Sequence, residues 1–166
     1  AIAMGGAFVA VANDVTGLYW NPAGIARLHR NEAILLHTEW LADVNYDYAG
    51  IAIKMGNAGT IGASVTSVSM ADMQVRTELQ PEGTGEFFAA GDIAGSIAYA
   101  RNLTDRFSIG FNAKYIHQKI WHMTSSGFAI DIGTLFTTQF KDMKIGMSIS
   151  NFGTNMKMSG RDSREF

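Results

Sequence analysis

The chain has 166 residues, with 13 Lys and Arg against 15 Asp and Glu and a formal net charge of −2. The absence of cysteine excludes a disulfide scaffold or a thiolate metal site, and the near-neutral balance gives no reason to expect nucleic acid or an anionic membrane surface as a partner. Charged residues, at 17 %, lie below the roughly 25 % of soluble domains, yet no stretch reaches the roughly 18–20 apolar residues of a spanning helix; a strand-crossing barrel escapes that test, because its lipid-facing and lumen-facing residues alternate and average out.

The first segment, AMGGAFVAVANDVTGLYWNPAGIA (3–26), is almost entirely small or apolar. Its marked residues are the adjacent Gly5 and Gly6, the Asn13–Asp14 pair, Trp20 running into Asn21 and Pro22, and Gly24. Asn21 is suited to cap a short helix, with Pro22 at the first helical position, where its missing N–H costs nothing. The small residues upstream would let this backbone approach a neighbouring surface closely.

From residue 31 the apolar period is two, the period of a strand with one apolar and one polar face. Seven strands are predicted, at roughly 32–41, 46–55, 59–70, 87–101, 106–121, 127–138 and 143–153. The clearest pattern sets Phe107, Ile109, Phe111, Ala113 and Tyr115 against Ser108, Gly110, Asn112 and Lys114. In the same way Ile130 and Ile132 oppose Ala129 and Asp131, Ile51 and Ile53 oppose Gly50 and Lys54, and Met147 opposes Gly146 and Ser148. The links at 55–59, 101–106 and 139–144 are tight and rich in turn formers. The others are expected to be longer, the longest being 70–86. Trp40, Tyr46, Tyr48, Phe87, Phe88, Trp121, Phe128 and Phe152 fall at the long-loop end, and Tyr99, Phe107 and Phe140 near the short-turn end, as two aromatic girdles would.

Low charge, long strands and loop asymmetry together predict an all-β, transmembrane antiparallel outer-membrane β-barrel. Residues 31–166 would form the first part of its wall and residues 1–30 a short helical hatch or plug within it. The lipid-facing residues would be Ile51, Ile53, Phe107, Ile109, Phe111, Ile130, Ile132 and Met147. A soluble β-sandwich, whose strands also alternate, is the competing architecture. Seven strands do not close a barrel and single-chain barrels normally have an even count, so the chain is expected to be about half a protein, with 155–166 a loop leading to a further strand.

The opening segment resembles the N-terminal signature of the PorV/PorQ family of outer-membrane proteins, relatives of FadL-type transporters. The resemblance continues through HTEWLADVNYDYAGIA (37–52), QPEGTGE (80–86), YARNLTDRFSIGFNAKYIHQKIWH (99–122), GFAIDIGTLF (127–136) and GMSISNFG (146–153). It implies a barrel of about fourteen strands in the outer membrane of a Gram-negative-type bacterium. The implied role is non-enzymatic, as a type IX secretion adaptor that binds the translocon and the C-terminal domains of cargo. The FadL-like alternative is a channel for long-chain fatty acids or other hydrophobic solutes, with such a ligand, or detergent, as occupant.

Candidate sites are few. If the 101–106 turn is centred near Leu103, Lys114 lies opposite Asp92, and Asp131 flanks it from the next strand, giving a charge cluster in the lumen. Trp40 and Asp43, and Pro81, Glu82 and Gly83, sit in the loops expected to meet partners. The four histidines, His29, His37, His117 and His122, show no ligand spacing, so no metal and no cofactor is expected. The glycine-rich stretches 4–9 and 83–91 lack the context of a phosphate loop, and no catalytic residue is assigned.

Overall fold

A computed structural model describes residues 2–161. The chain forms an N-terminal segment of short helical turns followed by one large antiparallel sheet. The strands are β1 (Glu32–Glu39), β2 (Val44–Lys54), β3 (Thr60–Met70), β4 (Met73–Gln74), β5 (Phe87–Phe88), β6 (Ala90–Asn102), β7 (Phe107–Ile120), β8 (Met123–Thr137), β9 (Lys144–Gly153) and β10 (Ser159–Gly160). Their order in the sheet is β1-β2-β3-β6-β7-β8, with β9 and β10 both on the far edge of β8. The sheet does not close on itself; β1 forms one edge and β9 the other. No helix is long and apolar enough to cross a membrane among the described residues, which says nothing about crossing by strands.

Six of the seven expected strands lie close to their predicted ranges. The fourth breaks at Ala89, which separates β5 from β6. β5 pairs with β4 in a separate ribbon, so part of the 70–86 link is itself a hairpin. The link at 121–127 is not long: β8 begins at Met123, and Trp121 and His122 alone make the turn, Trp121 in the left-handed region at φ 51°. Thr124, Ser125 and Ser126 have no apolar pattern, but their backbones pair with β7, and backbone pairing does not require apolar side chains. The β1–β2 link is also short, closed by a Trp40 N–H to Val44 C=O bond of 2.7 Å. Loop asymmetry is therefore carried by the 71–89 connection rather than by every link at that end. Ser159 and Gly160, expected as loop, pair with Thr124 and Met123; residues 162–166 lie outside the described residues.

The alternation sorts side chains onto two faces. In β8, Ser125, Gly127, Ala129, Asp131, Gly133 and Leu135 are buried, while Phe128, Ile130, Ile132 and Phe136 are exposed. Ile51, Ile53, Phe111 and Met147 are likewise exposed; Phe107 and Ile109 are half-buried, Phe107 because its ring packs at 6.5 Å on Phe136. No second layer covers this apolar face among the described residues, so the two stacked sheets of a sandwich are absent there. Tyr46 and Tyr48 depart from the expected girdle: they stand on the other face, with Tyr48 buried.

That other face carries the N-terminal segment. Its turns are α1 (Phe8–Val11), α2 (Gly17–Trp20) and a 3₁₀ stretch Pro22–Arg27. As the sequence predicts, Asn21 caps the 3₁₀ stretch, its Oδ1 accepting the Ala23 N–H at 3.1 Å with Pro22 at the first position. The core inverts the usual division of labour. The segment supplies the large side chains Val15, Leu18, Ile25 and Leu28; the sheet supplies Ala52, Ala98 and Ala100. Complete burial of Leu18, Ile25 and Leu28 contributes roughly 1.5–3 kcal/mol each.

Close approach depends on glycines of the sheet, not on those of the segment. A methyl group on Gly133 would stand 2.0 Å from Asn21 Oδ1, one on Gly110 2.3 Å from the Pro22 carbonyl carbon, one on Gly62 2.3 Å from Leu18 Cδ2, and one on Gly146 2.4 Å from the Val9 carbonyl oxygen. Gly5 and Gly6, by contrast, face open space. Gly133→Ala is expected to lower stability by about 1–3 kcal/mol, measured by thermal unfolding. Gly95→Ala, where a methyl group meets nothing within 4 Å, is the matched control and should leave the melting temperature nearly unchanged.

Candidate functional site

The candidate site lies where the segment meets the sheet, and two residues pin the segment there. Asn21, fully buried, donates from Nδ2 to the Val9 carbonyl at 2.8 Å and to the Thr134 carbonyl at 3.0 Å, so one side chain ties α1, the 3₁₀ stretch and β8 together. Arg27 extends to the turn end of the sheet. Its Nε donates to Ser108 Oγ at 2.8 Å, Nη1 to Thr137 Oγ1, and Nη2 to the carbonyls of Arg106 at 2.8 Å and Leu135 at 3.1 Å. Desolvation lowers the Arg27 pKa from its ordinary value, but guanidinium remains a cation in proteins.

The other marked residues of the segment have local tasks. Asp14 Oδ1 accepts the Thr16 N–H at 2.8 Å, closing a turn before α2. Gly24 packs on Ala12, where a side chain would meet the Ala12 carbonyl oxygen at 2.2 Å. Trp20 stacks edge-on with Phe8 at 6.4 Å and with Tyr19 at 5.3 Å. Asn13 is exposed.

Of the three charges expected together, two meet. Lys114 Nζ lies 2.6 Å from Asp131 Oδ2. Asp131, 1 % exposed, also accepts from Asn112 Nδ2 at 3.1 Å and from the Asn151 N–H at 2.8 Å. Lys114 donates in addition to Asn151 Oδ1 at 3.2 Å. Asp92 is elsewhere: it lies opposite Gln118, which donates to it at 3.2 Å, while Lys114 lies opposite Ser96. The turn is centred at Asp105, since Asn102 pairs with Ser108. Moving the centre two residues from Leu103 moves each partner by four.

Two features of the network had no sequence signal. Ser150 and Asn151 together oppose Asp131, a β-bulge that places Asn151 at φ 59°. Asn112 Nδ2 also donates to the Leu18 carbonyl at 3.3 Å and so ties the network to the N-terminal segment. Asn112 was legible only as a polar member of an inward face.

At the opposite end of the segment is a groove of about 650 Å³, lined mainly by apolar and aromatic groups, including Tyr19, Trp20, Ile34, Leu36, Tyr46 and Tyr48. Trp40 stands at its rim and is 65 % exposed. Asp43 adopts φ 54° in the β1–β2 turn. Pro81 and Glu82 are exposed, and Gly83 is half-buried against Gln74. Among the described residues, no three His, Cys, Asp or Glu side chains gather as a metal site.

Lys114→Met leaves Asp131 buried without its cation and is expected to cost about 3–5 kcal/mol, read by thermal or denaturant unfolding. Asp92→Asn, outside that network, should cost less than 1 kcal/mol, within the range of a single polar exchange at a half-buried site.

Residues 2–165 match the family described as "Uncharacterised protein family (UPF0164)". A "UPF0164 protein" of Treponema pallidum (strain Nichols) is 26 % identical over 167 residues, covering 94 % of this chain and 42 % of the relative. The chain therefore spans less than half the length of that curated relative. No solved structure matches. Nothing in these matches points to PorV, PorQ or FadL proteins, and the resemblance drawn from the sequence blocks is corrected accordingly: short glycine-rich and alternating stretches recur wherever a strand face must be small. On a match spanning nearly its whole length, the chain belongs to the UPF0164 family.

Proposed function

We propose that this chain forms part of the wall of an outer-membrane β-barrel with a resident N-terminal hatch, and that the groove beside the hatch takes a hydrophobic solute. The observation that carries the reading is the apolar face turned away from the hatch. From Phe128 to Phe136 in β8 it covers eight residue steps. That is about 27 Å at roughly 3.4 Å per step, or about 21 Å along the normal at a tilt of about 40°, against an apolar band of about 25 Å in such barrels. Polar groups bound it at both ends: His37, Asp47, Lys119 and Ser126 at one, Arg101 and Arg106 at the other. An uncovered apolar surface of this extent is a poor match for water as solvent. The open edges β1 and β9 are, in this reading, continued by strands from the rest of a longer protein, which also avoids unsatisfied backbone groups in lipid.

The groove supports the solute. Its lining is predominantly apolar with a few hydroxyls, the usual composition of a small-molecule pocket. The reading assigns binding and passage and no catalysis. A second reading, a docking surface for another protein such as secreted cargo or a translocon component, is favoured by exposed apolar side chains in the loops: Leu41 is 82 % and Leu79 94 % exposed.

The full-length protein is expected to fractionate with outer membranes and to migrate differently in denaturing gels before and after boiling. The apolar fluorophore N-phenylnaphthylamine should bind it. Leu36→Asn, in the groove, should weaken that binding at least ten-fold, and Leu35→Asn, on the opposite face of the same strand, should not. Equal effects of the two variants would remove the groove from the reading. A photocrosslinker at Leu79 that captures a secreted protein in cells would favour the docking reading.

A further inference from the structure

The hatch-facing side of the sheet pairs its charges where they are enclosed: Lys114 with Asp131, Asp92 with Gln118. At the short-turn end this rule lapses. A cavity of about 510 Å³ opens there beside the end of the 3₁₀ stretch, lined by Arg27, His29, Lys54, Asn102, Asp105 and Lys144. Three permanent cations face one carboxylate, in a chain whose net charge is −2. An adjoining cavity shares Lys54, Asn102 and Asp105 and adds Arg101. Neither Lys54 nor Lys144 makes a side-chain hydrogen bond or ion pair with any described residue. Arg27 is held in place by its four bonds to the sheet, which leave one N–H of its five on Nη1.

A fixed guanidinium, two free ammonium groups and an amide around one concavity match the donor set that recognises oxyanions, the guanidinium by its planar fork and the ammoniums as mobile point charges. We infer that this vestibule is a binding site for a phosphate-bearing anion, either free or as a lipid headgroup. Lys54 and Lys144 close on the anion from opposite sides of the open sheet, and Arg27 forms the floor. Because Arg27 also anchors the hatch, an anion drawn to its remaining N–H sits directly against the hatch end. The inference is independent of what occupies the apolar groove.

The test uses the full-length protein in phosphatidylcholine nanodiscs, titrated with inorganic phosphate against chloride at equal ionic strength, with binding read by calorimetry and by melting temperature. Phosphate is expected to bind and to raise the melting temperature where chloride does not. The double variant Lys54→Gln/Lys144→Gln should weaken binding at least ten-fold, Lys54→Arg/Lys144→Arg should retain it, and Lys119→Gln, at the far end of the sheet, should leave it unchanged. Repetition in phosphatidylglycerol nanodiscs separates the sources. Loss of phosphate binding there assigns the site to a lipid headgroup, and its persistence assigns a free anion; both support the oxyanion site. Equal responses to phosphate and chloride, or full affinity in the double glutamine variant, overturn it.

Discussion

The architecture depends on the close approach of the N-terminal segment to one face of the sheet. A sheet cannot hold a peptide segment this tightly against one face unless side chains are small or absent along the line of contact. Gly62, Gly110, Gly133 and Gly146 provide that line, and each would collide with the segment if it carried a methyl group. In the main core cluster the large buried side chains therefore come from the segment, with Ala52, Ala98 and Ala100 of the sheet receiving them and Ile34 packed at its margin. Once segment and sheet are this close, polar groups of one face those of the other, and Asn21 and Arg27 join them by hydrogen bonds to Thr134, Ser108 and Leu135.

The same constraint explains why the two faces of the sheet differ so much. The face that carries the N-terminal segment presents glycines and alanines where the segment packs. The outer face retains its bulky apolar residues with nothing over them among the described residues. Strands that alternate in this way present one face to the packed segment and an apolar face on the other side. Hydrocarbon is the solvent that fits the apolar face, which is why the proposed reading places the outer face in lipid.

The charged network illustrates how a sheet position acquires a second task. Asp131 pairs with Lys114, receives Asn112 and captures the Asn151 N–H freed by the bulge. Asn112 passes the connection to the Leu18 carbonyl. A single buried carboxylate thus fixes the β8–β9 register and braces α2. The short-turn end is organised in the opposite sense: Arg27 is tied to the sheet, while Lys54 and Lys144 make no side-chain hydrogen bond or ion pair with any described residue, and in the proposed oxyanion site that contrast separates a structural charge cluster from one available to a ligand.

Which side chains share a face was legible in the sequence, because a strand's alternation is local and needs no partner. The cap at Asn21–Pro22 was legible for the same reason. Short sequence blocks, however, misdirected the family assignment, since small residues on alternating strands recur under shared packing demands. Pairing was decided by the tertiary structure: the turn centred at Asp105 rather than Leu103 moved Asp92 away from Lys114, and pairing with β7 turned an expected loop at 123–126 into strand. The glycine seats, the bulge at Asn151 and the cationic cavity at the short-turn end likewise exist only once register and the path of the N-terminal segment are set. Each depends on which distant backbone lies alongside, a relation that no local period encodes.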